Sequence, residues 1–266
     1  MTPQERQFRS ERARRLKAGR RLRKDQTGDI ISSLTEAHNL IIKRMAQSNG
    51  EFTQAFLNTR FRELKDILDG VGLEASELAS SAHISMADAG LSLVDDPLQA
   101  SGIRISAVYT SIPETQIVGM RSFLVDKISD ITDETAKKIK SQLGLSVIGA
   151  QDKTATIDGV SKLLGETLPN RARTIVNTEL GRVYATATQE RLKQGAEFLP
   201  GLGKEWRRSG KVNERPTHIV ADGLIVPVEK KFKIGGYELD YPRDPAAPAE
   251  ATVNCGCDVL PAMEDF

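Results

Sequence analysis

The chain has 266 residues, 39% of them apolar, and a formal net charge of +1, enough for one large core or two small ones. No run of eighteen apolar residues occurs, and Met1-Thr2-Pro3-Gln4-Glu5-Arg6 lacks the apolar centre of a secretory signal. The expectation is therefore no membrane insertion or export, and residence in the cytoplasm where the chain is made. Cys255 and Cys257, one residue apart, exclude a disulfide framework because bridging them closes a strained ring, which leaves packing, metal binding or redox chemistry.

The charge is unevenly spread. Ten of the first twenty-four residues are Lys or Arg, against Glu5 and Glu11. Residues 1–26 read as a basic arm of good helix formers with only Phe8, Leu16 and Leu22 to bury, so the arm is expected to fold only on contact with something else. Clustered cations release counterions from nucleic acid. Arg12, Arg14, Arg15, Arg20, Arg21 and Arg23 are thus candidates for binding nucleic acid or an acidic partner, with a solvated helical extension as the alternative.

From residue 27 to 165 the apolar period is 3.6. After a cap-like Thr27-Gly28-Asp29, Ile30, Leu34, Ala37, Ile41 and Met45 share a face, and Gly50 is the expected stop. A second helix is predicted from Glu51 to about Asp69 and a third from Leu73 toward Leu93, with glycine-bearing joins making the three antiparallel neighbours. Asp95-Asp96-Pro97 is the predicted break, followed by a strand-like Ser101 to Ser111 with Ile103, Ile105, Ala107 and Tyr109. Pro113 then opens a helix through Ile128, and Thr132-Asp133-Glu134 opens another that stops at Gly144. His38 and His83 have no second ligand-type residue at metal spacing and are assigned no chemistry.

A short helix is predicted around Ile157 to Leu164, before Pro169; the third segment, 166–266, then has a long helix from Arg171 to Gln194 and a β-rich end. Glu179 is either a buried bridge or a solvated helix residue. Small residues Gly181, Ala185 and Ala187 allow close packing. Beyond Pro200 the helical period vanishes: Lys204 to Arg208, Thr217 to Val220, Leu224 to Val228, Phe232 to Ile234 and Thr252-Val253 read as extended, with turns at Asp222-Gly223 and Gly235-Gly236. The expected fold class is α+β, a mainly helical N-terminal region followed by a small β-rich module.

That last segment carries a series of features. They are Asn177-Thr178-Glu179, Glu205-Trp206, Glu214-Arg215 leading to His218, Asp222-Gly223, Phe232, Tyr241-Pro242, and Asn254-Cys255-Gly256-Cys257. In this order they resemble the phage head morphogenesis family, the Mu F-like minor head proteins. Two departures stand out: Asn213-Glu214-Arg215-Pro216 replaces the usual Asp-x-Arg run, and Gly256 replaces the basic residue of Asn-Cys-Arg-Cys. The resemblance implies a non-enzymatic minor head protein of a tailed bacteriophage, present in the virion and in the host cytoplasm during assembly. It further implies association with the portal or inner capsid and a role in head assembly, DNA packaging or DNA delivery. The resemblance says little about residues 1–165; the expectation there is that residues 27–165 dock on portal, capsid or scaffold proteins and that the basic arm meets packaged DNA or an acidic partner surface.

The module also offers chemistry of its own. Two thiols and the imidazole of His218 form a donor set suited to zinc, which takes four tetrahedral ligands. Asp222, Glu214 or Asp258 would have to supply the fourth. Alternatively the cysteines are small buried hydrophobes and His218 a hydrogen-bonded tie. An enzymatic alternative is a metal-dependent hydrolase or nuclease using His218 and the Cys255/Cys257 pair. The chain lacks a Gly-rich phosphate loop, a Gly-x-Ser-x-Gly elbow and a His-Glu-x-x-His motif, which weighs against it.

Overall fold

The computed structural model describes residues 1–47, 54–103 and 114–264, and it is α+β as the sequence indicates. Gly50, Phe52, Ile105, Ala107, Tyr109 and Pro113, on which a helix stop, a strand and a helix start were expected, lie outside the described residues.

The basic arm is not a separate element. Helix α1 (Pro3–Ala46) runs unbroken through Thr27-Gly28-Asp29. Its start is a reciprocal cap: Glu5 N–H donates to Thr2 Oγ1 at 3.1 Å and Thr2 N–H to Glu5 Oε2 at 3.2 Å, with Pro3 at the first helical position. Gly28 costs about 1 kcal/mol in a helix interior, which is small beside the stripe of Ile30, Ile31, Leu34, Ala37 and Ile41 that the continued helix buries.

Helix α2 (Gln54–Ala100) likewise spans both the Gly70/Gly72 join and Pro97, where breaks were expected. A proline inside a helix costs about 3 kcal/mol, and burying Leu93, Val94 and Leu98 completely offsets it at about 2 kcal/mol each. Asp95 and Asp96 do not break the helix either, because each has an ion-pair partner, Arg191 at 3.2 Å for Asp95 and Arg15 for Asp96. Helix α3 (Glu114–Val147) merges the two helices predicted there and passes Gly144; the left-handed residue is Gly149, φ 72°. Helix α4 (Lys153–Lys162) is capped by Asp152, whose carboxylate accepts from Ala155 N–H at 2.8 Å. A π-helical turn, Leu163–Thr167, leads into helix α5 (Leu168–Ala196), the predicted long helix.

The remainder is short elements. Strands β1 (Leu202–Arg207), β2 (Ile225–Pro227) and β5 (Asp258–Met263) form an antiparallel sheet in the order β2-β1-β5, and β3 (Phe232–Ile234) pairs with β4 (Tyr237–Leu239) in a hairpin. Gly235 and Gly236, φ 60° and 85°, make the two-residue hairpin turn, whose backbone needs positive φ at both positions. Two predicted strands are helices instead. Pro216 fixes the first turn of α6 (Pro216–Val220), and α7 (Ala249–Thr252) follows the extended Pro248. Their β-branched residues do not report a sheet: Val220 and Val253 are exposed.

The chain divides into two compact units that interleave along the sequence, in place of the three consecutive segments expected. One comprises residues 1–25, 82–121 and 177–266, the other 26–81 and 122–176. The first holds the arm together with the C-terminal module. Its core gathers Phe8, Val94, Leu98, Leu192, Trp206, Phe232, Val259 and both cysteines. Within it α2 and α5 approach closely at Gly90, where a Cβ would lie 2.5 Å from Tyr184 O. The second unit buries Leu34, Ile41, Leu64, Leu68, Ile128, Ile139, Leu143 and Val160.

Candidate metal centre

Three sequence-predicted residues meet. His218 on α6 turns Nδ1 toward both thiols, 3.6 Å from Cys255 Sγ and 3.6 Å from Cys257 Sγ, and all three residues are buried. Their ligand atoms lie within 4.8 Å of one another, so the group can hold a metal ion. Trp206 stacks edge-on against the imidazole, ring centroids 5.3 Å apart, and meets Phe232 in the same manner at 5.4 Å. Arg215 places α6 by donating to Glu250 O at 2.7 Å and Val253 O at 2.8 Å, the carbonyls at the end of α7.

The Asn-Cys-Gly-Cys turn is held from three directions. Asn254, φ 56°, adopts the left-handed conformation that Asn tolerates better than most residues, and its N–H donates to Thr178 Oγ1 of α5 at 3.0 Å. Lys211 Nζ donates to Asn254 O at 2.8 Å. Arg243, fully buried, donates from Nε to Cys255 O at 2.8 Å and from Nη1 to Gly181 O at 2.9 Å. Gly181 makes room for it, since a Cβ there would sit 2.6 Å from the guanidinium carbon. Glu179 is buried as a bridge: it binds Arg182, whose Nε donates to Arg243 O at 3.1 Å.

The two thiols shift in opposite directions. A hydrogen bond from Cys257 holds the Cys255 thiol well below its usual range against the opposing effect of burial, with help from His218 and Arg243, while the same bond and burial push Cys257 up. The site has a positive border. Burial and the neighbouring Arg243 push the Lys211 ammonium down, and the two cysteines resist that shift.

None of the three carboxylates considered as a fourth ligand joins the group. Asp222 accepts from Arg208 N–H at 3.0 Å, and Glu214 accepts from Ser209 Oγ at 2.6 Å and Gly210 N–H at 2.7 Å. Asp258, fully buried, is ringed by guanidinia: Arg20 at 2.7 Å, Arg23 at 3.3 Å and Arg243 at 3.9 Å. Burial alone would raise its pKa; Arg23, Arg243 and Arg20 outweigh that and hold it below the usual carboxylate range.

The six arginines proposed for partner binding divide by helix face. Arg12 donates to Glu205 Oε2 and Pro261 O, both at 2.8 Å, and with Arg20 and Arg23 it ties α1 to the module. Arg15 bonds Glu11 at 2.9 Å and pairs with Asp96. Arg14 and Arg21 face solvent and, among the described residues, bond only within the helix, to Glu11 and Asp25. Of the other histidines, His38 Nε2 lies 3.2 Å from Ser161 Oγ, and His83 is fully buried. The residues missed by sequence reasoning are Arg243 and Lys211. Arg243 follows the Tyr241-Pro242 pair, but nothing in its spacing shows that it folds back onto Cys255.

No family model matches the chain, and no solved structure does. Among curated proteins, the uncharacterized protein YqbB of Bacillus subtilis (strain 168) is 35% identical over 98 residues, which cover 35% of this chain and 31% of that relative, so the similarity spans less than a third of the relative's length.

Proposed function

We propose that the chain is a structural minor head protein of a tailed bacteriophage, associated with the portal or inner capsid and acting in head assembly, DNA packaging or DNA delivery. The observation that carries this reading is that the features resembling the head morphogenesis family bond to one another. Thr178 holds Asn254, Trp206 packs on His218, Gly223 N–H donates to Trp206 O at 2.8 Å, and Arg215 reaches the carbonyl of Val253, just before Asn254. Residues that together build one local architecture are what a shared module requires. In this reading the His218–Cys255–Cys257 group fastens the module, with zinc as the ion its donor set suits, and the solvent face of α1 meets packaged DNA.

The test is co-expression with the portal, scaffold and major capsid proteins of the phage that encodes the chain. The expected result is co-sedimentation with procapsids in a few copies per particle, lost when no portal is supplied. Full assembly of infectious heads without the chain, and no co-sedimentation with any of the three, would refute the role. Against the hydrolase alternative stand the burial of both thiols and His218 and the pairing of the nearby carboxylates with arginines and backbone; turnover of plasmid DNA that is lost in His218→Ala would favour it.

A further inference from the structure

We propose that His218 Nδ1, Cys255 Sγ and Cys257 Sγ bind one zinc ion as three ligands of a tetrahedral site, whose fourth position is filled by water. This deepens the fastening role given above and is independent of whether the chain is a head protein.

Distance is the first argument. Zinc bonds sulfur at about 2.3 Å and imidazole nitrogen at about 2.0–2.1 Å, so a tetrahedral angle sets the N···S edge at about 3.6 Å. Both N···S separations are 3.6 Å. Hydrogen bonding explains one such contact but not two equal ones. An imidazole Nδ1 has either one lone pair or one hydrogen, and so serves a single thiol well. An ion between the three atoms uses one lone pair from each.

Pre-organisation is the second. A metal site loses affinity when its ligands must be ordered on binding, and here the backbone carrying both sulfurs is clamped before any ion arrives. Lys211 and Arg243 bind the consecutive carbonyls of Asn254 and Cys255. Gly256 lets the chain bend under Lys211 and Ser209, where a Cβ would come within 2.6 Å of each side chain. The imidazole is wedged against Trp206. With two thiolates a zinc ion is formally neutral, which suits a site with Lys211 and Arg243 at its border.

The coordination number follows from the commitments of the neighbours. Among the described residues, no further Cys, His, Asp or Glu atom joins the three. The carboxylates of Asp222, Glu214 and Asp258 are held by partners that a move to the ion would strand. With three protein ligands, water completes the tetrahedron, and the ion still joins α6 to the Cys255–Cys257 turn.

The experiment uses the full chain, produced in zinc-supplemented medium and desalted. Elemental analysis is expected to give one zinc per chain, and X-ray absorption two sulfur and two nitrogen or oxygen neighbours. The cobalt-substituted protein should show thiolate-to-cobalt charge transfer and intense tetrahedral ligand-field bands. Cys257→Ser is expected to lose most of the metal. Should that variant fail to fold, the wild type stripped with a chelator decides: both thiols become titratable by a disulfide reagent, and added zinc protects them again. Folded wild type with under about a tenth of an equivalent of zinc, or a cobalt spectrum without charge transfer, overturns the proposal. A four-ligand sulfur–nitrogen–carboxylate shell overturns water as the fourth ligand.

Discussion

Arg20 Nε and Asp258 Oδ2 stand 2.7 Å apart although 238 residues separate them in the chain, and this pair joins the N-terminal helix to the strand that follows the cysteines. Asp258 is fully buried, so its charge depends on Arg20, Arg23 and Arg243. Removing a partner from a buried ion costs more than the pair contributes, because the remaining charge is stranded. The double substitution Arg20→Ala/Arg23→Ala is expected to destabilise the unit by about 3–5 kcal/mol. Urea unfolding followed by the single tryptophan, Trp206, measures it where it matters. A loss below about 0.5 kcal/mol, the range of ordinary surface substitutions, would contradict this account.

Gly256 stands where the family resemblance leads one to expect a basic residue, and the structure supplies a physical reason for the exchange. A Cβ there would lie 2.6 Å from Ser209 Cβ and 2.6 Å from Lys211 Cε. Lys211 thus occupies the space that a longer residue at 256 would need, and brings a cation to the same turn. Gly256→Ala is expected to cost about 1–3 kcal/mol, as overpacking of a tight site does. Adding Lys211→Ala and Ser209→Gly should recover most of that loss. Equal stability of the single variant and the wild type in thermal unfolding would show that the turn is not closed over residue 256.

Much of this was legible in the sequence. The α+β class, the long helix α5, the Gly-Gly hairpin turn and the three ligand-type residues follow from period, composition and residue chemistry. Where the reading failed, local punctuation was outweighed by burial. Gly28, Gly70, Gly72 and Pro97 are helix breakers by propensity, yet the helices continue because residues such as Ile30, Ala75, Leu93 and Leu98 are more stable inside. The arm failed for a related reason: Arg12, Arg20 and Arg23 look like surface charge until their partners, Glu205 and Asp258, are brought to them by folding. One available signal was the Thr2-Pro3-Gln4-Glu5 capping box, which marks a helix start far ahead of Asp29.

His83 supplies a pH dependence. It is fully buried, neither ring nitrogen has a hydrogen-bond partner among the described residues, and burial, aided by the charge of Arg121, pushes it down to about 4. An unfolded histidine titrates near 6.5. As pH falls from about 6.5 toward 4, the unfolded chain binds a proton that the folded chain refuses, so stability falls with acidification, by up to about 3 kcal/mol at the lower end. His83→Leu removes this contribution. The expected outcome is that the difference in unfolding free energy between variant and wild type grows in the variant's favour from pH 7 to pH 4.5; a difference independent of pH would refute the assignment.

The division of α1 into two faces changes how DNA contact must be tested. Deleting residues 1–24 would remove Arg12, Arg20 and Arg23 and strip Asp258 of two of its three cations, so lost DNA binding would report a damaged module. Arg14, Lys17, Arg21 and Lys24 are exposed, and their spacing of three and four residues puts them along one side of the helix. Arg14→Gln/Lys17→Gln/Arg21→Gln removes three cations that touch no other element in the described bonds, and should shift stability by no more than about 0.5 kcal/mol. Each phosphate contact contributes about −0.9 to the slope of log affinity against log salt. If all three residues meet the duplex, the slope becomes shallower by about 2–3 with no change in sequence preference. An unchanged slope in a stably folded triple variant would assign the outer face of α1 to solvent, and would leave the buried arginines as the reason the chain carries so basic a start.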